Sequence, residues 1–448
     1  MRKYRLPLLL GLLLAGIITV WLLPSILRAV PTRYAMRLPE PLQALALPAD
    51  PTPILPTVAA PEAAAGLLDP AEPARPTAAP PASPTPEPVA GQLATGEPPE
   101  EAQPTPTAEP TAAPTATPWP VPPAARMTGF THIYQEWNNC GPATLAMTLT
   151  YFGLVFSQRD TAAALRPNAE DRNVTPQEMA GFVNSQTELR AMARTNGNRS
   201  LLQRLLANNI AVIIEVGIDP PGEYRWLGWY GHYLLPVAYD DAQSQFWVYD
   251  SWLGTSEVPQ TNADPNGRVM TYDDLDVYWP QFNRNYIVLY RPEQEALVAA
   301  LLGEELDDAV MWQNSLAQAQ IDAARNPNSP FYWFNLGTTH NALGQYDKAA
   351  IAFDQARAVG LPWRMLWYQF GPYEAYYQVG RYDDVILLAE TTLQDRPYFE
   401  ESYYYLGLAQ AAQGNQQAAR DNLEKASAFN PNFEPAGRAL AELTAPEG

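Results

Sequence analysis

The sequence predicts an α+β domain followed by an all-α stack of helix pairs, with an apolar helix and a Pro-rich tether ahead of both. Three observations carry this. An uncharged run from Leu6 to Leu27 is followed by a stretch in which 25 of the 46 prolines fall between residues 39 and 123. Residues 126–292 then read as helices first and strands second. Residues 293–448 show a helical pattern whose opening recurs after 34 and then 36 residues. The chain of 448 residues therefore divides into 1–30, 31–125, 126–292 and 293–448.

The first segment opens on Met1-Arg2-Lys3-Tyr4-Arg5, and the 22 uncharged residues after it are long enough to cross a bilayer as a helix. The run ends at Arg28-Ala29-Val30-Pro31 with no small-x-small cleavage site, so an uncleaved signal anchor is expected, a cleaved signal peptide being the other reading. The basic residues ahead of it put the N-terminus in the cytoplasm and the remaining domains outside the cell membrane.

Segments such as Pro84-Thr85-Pro86-Glu87-Pro88 have no hydrophobic period and cannot bury a core. Residues 31–125 are accordingly expected to be a disordered, largely polyproline-II linker, whose Pro-rich stretch 39–123 has a reach on the order of 260 Å.

The domain at 126–292 is organised around His132-Ile133-Tyr134-Gln135-Glu136-Trp137-Asn138-Asn139-Cys140-Gly141-Pro142-Ala143-Thr144, which holds the only cysteine in the chain. Pro142 suits the first turn of a helix running on from Leu145 to Phe152. Cys140 then lies at a helix N-terminus, where orphan N–H groups and the dipole favour a thiolate. Gln135 carries a side-chain amide able to donate to an oxyanion beside the thiol. Thr175-Pro176-Gln177-Glu178 is a capping box opening another helix, and an amphipathic helix starts at Ser200. Ala211 to Val216 reads as a buried strand. Gly231 to Tyr239, a turn at 240–243, and Phe246 to Trp252 read as a strand pair. This pair begins with His232 and ends near Asp250, so the acid can orient the imidazole and leave its other nitrogen for a thiol. Trp226, Trp229 and Tyr230, just before the histidine, are candidate platforms for a substrate, the other reading being a hydrophobic loop packed on the domain. Asp264-Pro265-Asn266-Gly267 lacks the spacing of a calcium loop, and neither a metal nor a cofactor is expected.

Residues 128 to 291 resemble the C39-like cysteine peptidases of the papain-like superfamily. The resemblance rests on Gln135-x4-Cys140-Gly141-Pro142-Ala143, on Gly231-His232-Tyr233, and on Asp250 eighteen residues after the histidine. It implies a papain-like α+β fold with Gln135 as oxyanion donor, Cys140 as nucleophile, His232 as base and Asp250 as its orienter. Asp250 is followed by Ser251-Trp252 where many such proteins have Asp-Pro, which bears on substrate choice more than on the chemistry. The family also contains acyltransferases and members without the cysteine.

From residue 293, Trp333-x2-Leu336-Gly337 with Tyr346, Ala349, Phe353 and Ala356 is similar to the tetratricopeptide (TPR) template. Trp367-x2-Phe370-Gly371 and Tyr403-x2-Leu406-Gly407 open two further copies. Such a TPR solenoid offers a groove for a protein partner. Residues 293–448 hold 21 acidic and 9 basic residues, so 9 − 21 gives −12 of the chain's −20, which disfavours nucleic acid as a partner. Each side of Pro292 carries its own core-forming pattern, so a chain ending near Arg291 is expected to fold alone. The resemblance, together with a lone thiol in an exported chain, points to a membrane-anchored cysteine peptidase or amide hydrolase acting on a peptide or protein segment. An acyl or amide transferase using the same cysteine is one alternative. The other is a scaffold whose thiol site is vestigial.

Overall fold

Ala211–Ile218 (β3) is a run of Ala, Val and Ile broken by one Glu and one Gly, with every residue buried. Such a run fits a strand covered on both faces, and β3 lies in the middle of a seven-stranded sheet. The other strands are β1 (Ala124–Arg126), β2 (Arg190–Arg194), β4 (Tyr230–Asp240), β5 (Gln245–Asp250), β6 (Arg268–Thr271) and β7 (Tyr286–Tyr290). They follow the order β2-β7-β3-β4-β5-β6, with β1 paired to the last residues of β4, and all pairings are antiparallel. This computed structural model describes residues 54–68, 121–168, 170, 174–218, 228–252 and 266–444, with isolated positions 23, 27 and 42.

Among the described residues, five α-helices belong to the same domain: α1 (Cys140–Tyr151), α2 (Gln158–Leu165), α3 (Pro176–Gln186), α4 (Arg199–Ala207) and α5 (Tyr272–Tyr278). The expected capping box opens α3, with Thr175 N donating to Glu178 Oε2 at 2.7 Å and Glu178 N to the Thr175 hydroxyl at 3.2 Å. The helix expected from Ser200 begins one residue earlier, because Asn198 accepts from Leu201 N and serves as its cap. Helix α1 packs against β3 and β4, and its residues Gly141 to Leu149 are all buried. A helix apolar all round is a core helix, so the first turn of α1 is set by everything around it.

The C-terminal part is helical throughout. After α6 (Glu295–Leu302) and α7 (Asp308–Arg325) come α8 (Pro330–Ala342) with α9 (Tyr346–Val359), α10 (Gly371–Gln378) with α11 (Tyr382–Asp395), and α12 (Glu400–Ala412) with α13 (Gln416–Phe429). Helix α14 (Glu434–Thr444) packs on α13. Small residues at helical spacing let partners approach: Ala349, Ala352 and Ala356 lie with Phe353 on the buried face of α9.

Two expectations are corrected. Within the span 31–125 read as a disordered linker, residues 54–68 are packed on the helices. Leu55 N donates to Leu361 O at 2.9 Å, Arg357 Nε to Pro56 O at 3.0 Å, and Gln320 Nε2 to Leu67 O at 2.9 Å. A 3-10 turn at Glu62–Leu68 buries Ala64 and Leu67, and Leu55 is buried as well. An extended Pro-rich chain leaves its carbonyls and N–H groups unspent, so a neighbouring segment can take them. The second correction concerns independence. Trp229 and Phe282 of the α+β domain lie in one hydrophobic cluster with Phe334, Phe353, Leu366 and Trp367 of the helices. The two parts share a core, and a cut at Arg291 would open it.

The apolar run 6–27 lies outside the described residues, apart from positions 23 and 27. Among the described residues no helix is long and apolar enough to cross a membrane.

Candidate active site

Cys140 is the first residue of α1 and is partly exposed. Asn138, two residues before it, takes a left-handed conformation at φ 54°, one that Asn tolerates better than most residues. Asn139 stands at the N-cap, yet its side chain is used elsewhere. Its Nδ2 donates to Gln158 Oε1 at 2.7 Å and its Oδ1 accepts from Arg166 Nη2 at 3.3 Å. No side chain caps α1, so the orphan N–H groups and the positive end of the dipole stay beside the thiol. A Cβ on Gly141 would lie 3.3 Å from Val174 Cβ and 3.4 Å from the Tyr233 ring. A larger residue there would push the helix start, and Cys140 with it, away from β4.

The register of the strand pair brings the histidine and the acid together. Asp250 is paired with Leu234, so His232 is its diagonal neighbour on the same face. His232 Nε2 lies 2.8 Å from Asp250 Oδ1, with both side chains buried. Nε2 being taken, the ring's Nδ1 is the nitrogen left for the Cys140 thiol, which acts on the His232 pKa. Burial, the largest influence, works to lower the His232 pKa. The Asp250 charge and hydrogen bond, with those of Cys140, outweigh it and raise the pKa to about 10. The imidazole is therefore poised as a cation beside Cys140.

Asp250 needs more than one partner to stay ionised while wholly buried. Its Oδ1 also accepts from Trp252 N at 2.8 Å, and its Oδ2 accepts from Arg268 Nη2 at 2.9 Å. Arg268 opens β6, and nothing in the local sequence marked it. The carbonyl of Asp250 accepts from His132 Nε2 at 2.8 Å, and burial lowers the pKa of this second imidazole.

Gln135 is held against the same strand end. Its backbone N donates to Ser251 O at 2.8 Å, and Ser251 Oγ donates to Gln135 Oε1 at 2.9 Å. With Oε1 accepting, the amide's Nε2 is the end that remains to donate to an oxyanion. The departure from Asp-Pro noted in the sequence thus supplies the hydroxyl that orients this amide.

The aromatic platform expected before His232 is corrected in part. Trp229 is only 2% exposed, stacks on Phe282 at 5.6 Å and Phe331 at 5.2 Å, and donates Nε1 to Gln281 Oε1 at 2.6 Å. With two rings stacked on it and its N–H donated to Gln281, it is a core residue rather than a surface for substrate. Tyr230 is half-buried, and its ring lies 6.5 Å from that of Trp252, which is in turn 6.1 Å from His232. Trp226 lies outside the described residues, as do Asp264 and Pro265.

No curated protein matches this chain. It is similar to a solved C39-like protein of Bacillus anthracis at 13% identity, over 38% of this chain and 98% of that one, with a TM-score of 0.29. Residues 121–285, the stretch that carries Gln135, Cys140, His232 and Asp250, match the Peptidase_C39 like family.

Proposed function

We propose that the C39-like domain is a cysteine peptidase in which Cys140 attacks a peptide carbonyl. The observation that carries this reading is His232, held between the Asp250 carboxylate at 2.8 Å and the Cys140 thiol. The thiolate sulfur forms a bond to the carbonyl carbon, and the carbonyl electrons move to oxygen. That oxyanion is met by the Gln135 amide and the orphan N–H groups of the first turn of α1. The imidazolium gives its proton to the leaving amine as the C–N bond breaks, leaving a thioester. Water, deprotonated by the now neutral His232, cleaves the thioester and restores the thiol. Asp250 keeps the imidazole in the required tautomer and stabilises its charged form.

The helical pairs serve, in this proposal, as a TPR-like surface for a protein substrate or partner. Their net charge of −12 supports basic or neutral peptides over nucleic acid. The basic start and the apolar run 6–27 support a membrane anchor, with the peptidase on the far side from the cytoplasm. The test is cleavage of a peptide library by the full chain against Cys140→Ser and His232→Ala. Turnover confined to the unsubstituted chain is expected. A library cleaved equally by it and by Cys140→Ser, or by neither, rejects the peptidase reading.

A further inference from the structure

Among the described residues, His232 lies in a part of β4 that is paired on one side only. β3 pairs with Tyr230, Gly231 and His232 on one side, but β5 stops opposite Leu234 on the other. The three residues ahead of the histidine are instead packed against the helical module. Arg364 belongs to a 3-10 turn, Trp363–Trp367, between α9 and α10. Its Nη1 donates to Trp229 O at 3.0 Å, and its guanidinium lies 4.1 Å from the centre of the Tyr230 ring. The same guanidinium is 5.3 Å from the Trp367 ring, and the Trp367 and Tyr230 rings are 6.2 Å apart. A Cβ on Gly231 would lie 3.1 Å from the Tyr368 ring and 2.6 Å from Phe282. Trp229, Tyr230 and Gly231 are thus each fixed by the module or by the core it shares with the domain. The next residue is His232.

We infer that Arg364 is a positioning residue for His232: by clamping the Trp229 carbonyl and the Tyr230 ring, the helical module sets where β4 starts and hence where the imidazole meets Cys140. The residue type fits this task. A guanidinium can hydrogen-bond a carbonyl in its plane while its face lies on an aromatic ring, and it stays charged throughout. The module is then part of the active site's framework and not only a docking surface. A reacting group displaced by about 1 Å loses up to about 100-fold in rate, so a loosened β4 start is enough to matter. The inference rests on Cys140 and His232 acting as a pair, and the experiment separates the two.

Alkylation of Cys140 by iodoacetamide is followed from pH 5 to 10 in the full chain, beside its melting temperature, for the unsubstituted protein, His232→Ala, Arg364→Ala and Arg364→Lys. The expected result is a His232-dependent rate at low pH that falls about 10-fold in Arg364→Ala at an unchanged melting temperature. Arg364→Lys should recover most of it, because an ammonium can still donate to Trp229 O over the Tyr230 ring. Two results overturn the inference. One is a folded Arg364→Ala with the unsubstituted profile; the other is loss of folding in both Arg364 variants, which makes the residue a stability element only. A profile in the unsubstituted protein indifferent to His232→Ala rejects the thiol–imidazole pair itself, and the positioning role with it.

Discussion

Ser251 holds Gln135 at both ends: its carbonyl accepts from Gln135 N at 2.8 Å, and its hydroxyl donates to Gln135 Oε1 at 2.9 Å. Ser251 is fully buried and follows Asp250 directly, so the residue that orients the amide is joined by one peptide bond to the one that orients the histidine. Ser251→Ala removes the hydroxyl without adding volume. It should lower kcat by about 10-fold and leave KM within about 2-fold, since an oxyanion donor acts on the transition state. Gln135→Ala should cost about 100-fold or more. Steady-state kinetics on a cleaved peptide decide this, and a change confined to KM would make Gln135 a binding residue instead.

The proton on His232 is owed to Asp250. In Asp250→Asn the carboxylate charge is gone, Arg268 is left as an uncompensated cation nearby, and burial dominates, so the His232 pKa should drop from about 10 to below its ordinary value of 6.5. Titration of the His232 ring by NMR measures this directly. An imidazole that remains charged at pH 8 in Asp250→Asn would remove Asp250 as the source of its proton affinity.

Glu215 gives stability a pH dependence separate from the site. It is buried on β3 and accepts from Asn285 Nδ2 at 2.8 Å; burial raises its pKa from 4.5 to about 8, against the Asn285 and Tyr233 hydrogen bonds. A group raised on folding contributes stability that is full below its unfolded pKa and is lost as pH rises through the folded one. For Glu215 the window runs from 4.5 to about 8, and for His232 from 6.5 to about 10. Burial lowers His340 to about 4, so its effect runs the other way as pH falls below 6.5, and it is common to both proteins compared. Glu215→Gln keeps a partner for Asn285 and cannot titrate. Between pH 5 and 8 the unsubstituted protein should lose roughly 3–6 °C more in melting temperature than Glu215→Gln does. Parallel melting curves would show that Glu215 does not titrate in this range.

Truncation after Arg291 should not leave an independent enzyme. Trp229 and Phe282 are 2% and 0% exposed, and Phe331 and Tyr368 of the helices supply part of that cover. Uncovering them forfeits about 1.5–3 kcal/mol for each ring, a large share of an ordinary domain's stability. Residues 121–291 alone should therefore aggregate, or melt without cooperativity, by calorimetry. A cooperative transition at the temperature of the full chain would restore the picture of two separable modules.

Cys140, the histidine-first strand and the acid at the end of its partner were readable because each rests on local features. A Gly-Pro pair starts the helix, alternation and turn residues make a hairpin, and eighteen residues separate two positions that strand register makes diagonal neighbours. The helix periods after residue 293 were readable for the same reason, being set by residues three and four apart. Tertiary structure alone decided what those residues touch. Arg268 joins Asp250 only through the pairing of β5 with β6, and Ser251 reaches Gln135 across 116 positions. Trp229 looked like a platform because it is one of several aromatics just ahead of His232, but Phe331 and Phe282 stack on it. Composition likewise marked residues 54–68 as extended. Extension leaves backbone groups and an occasional leucine unsatisfied, and the segment Arg357–Leu361 satisfies them, a partnership no local pattern encodes.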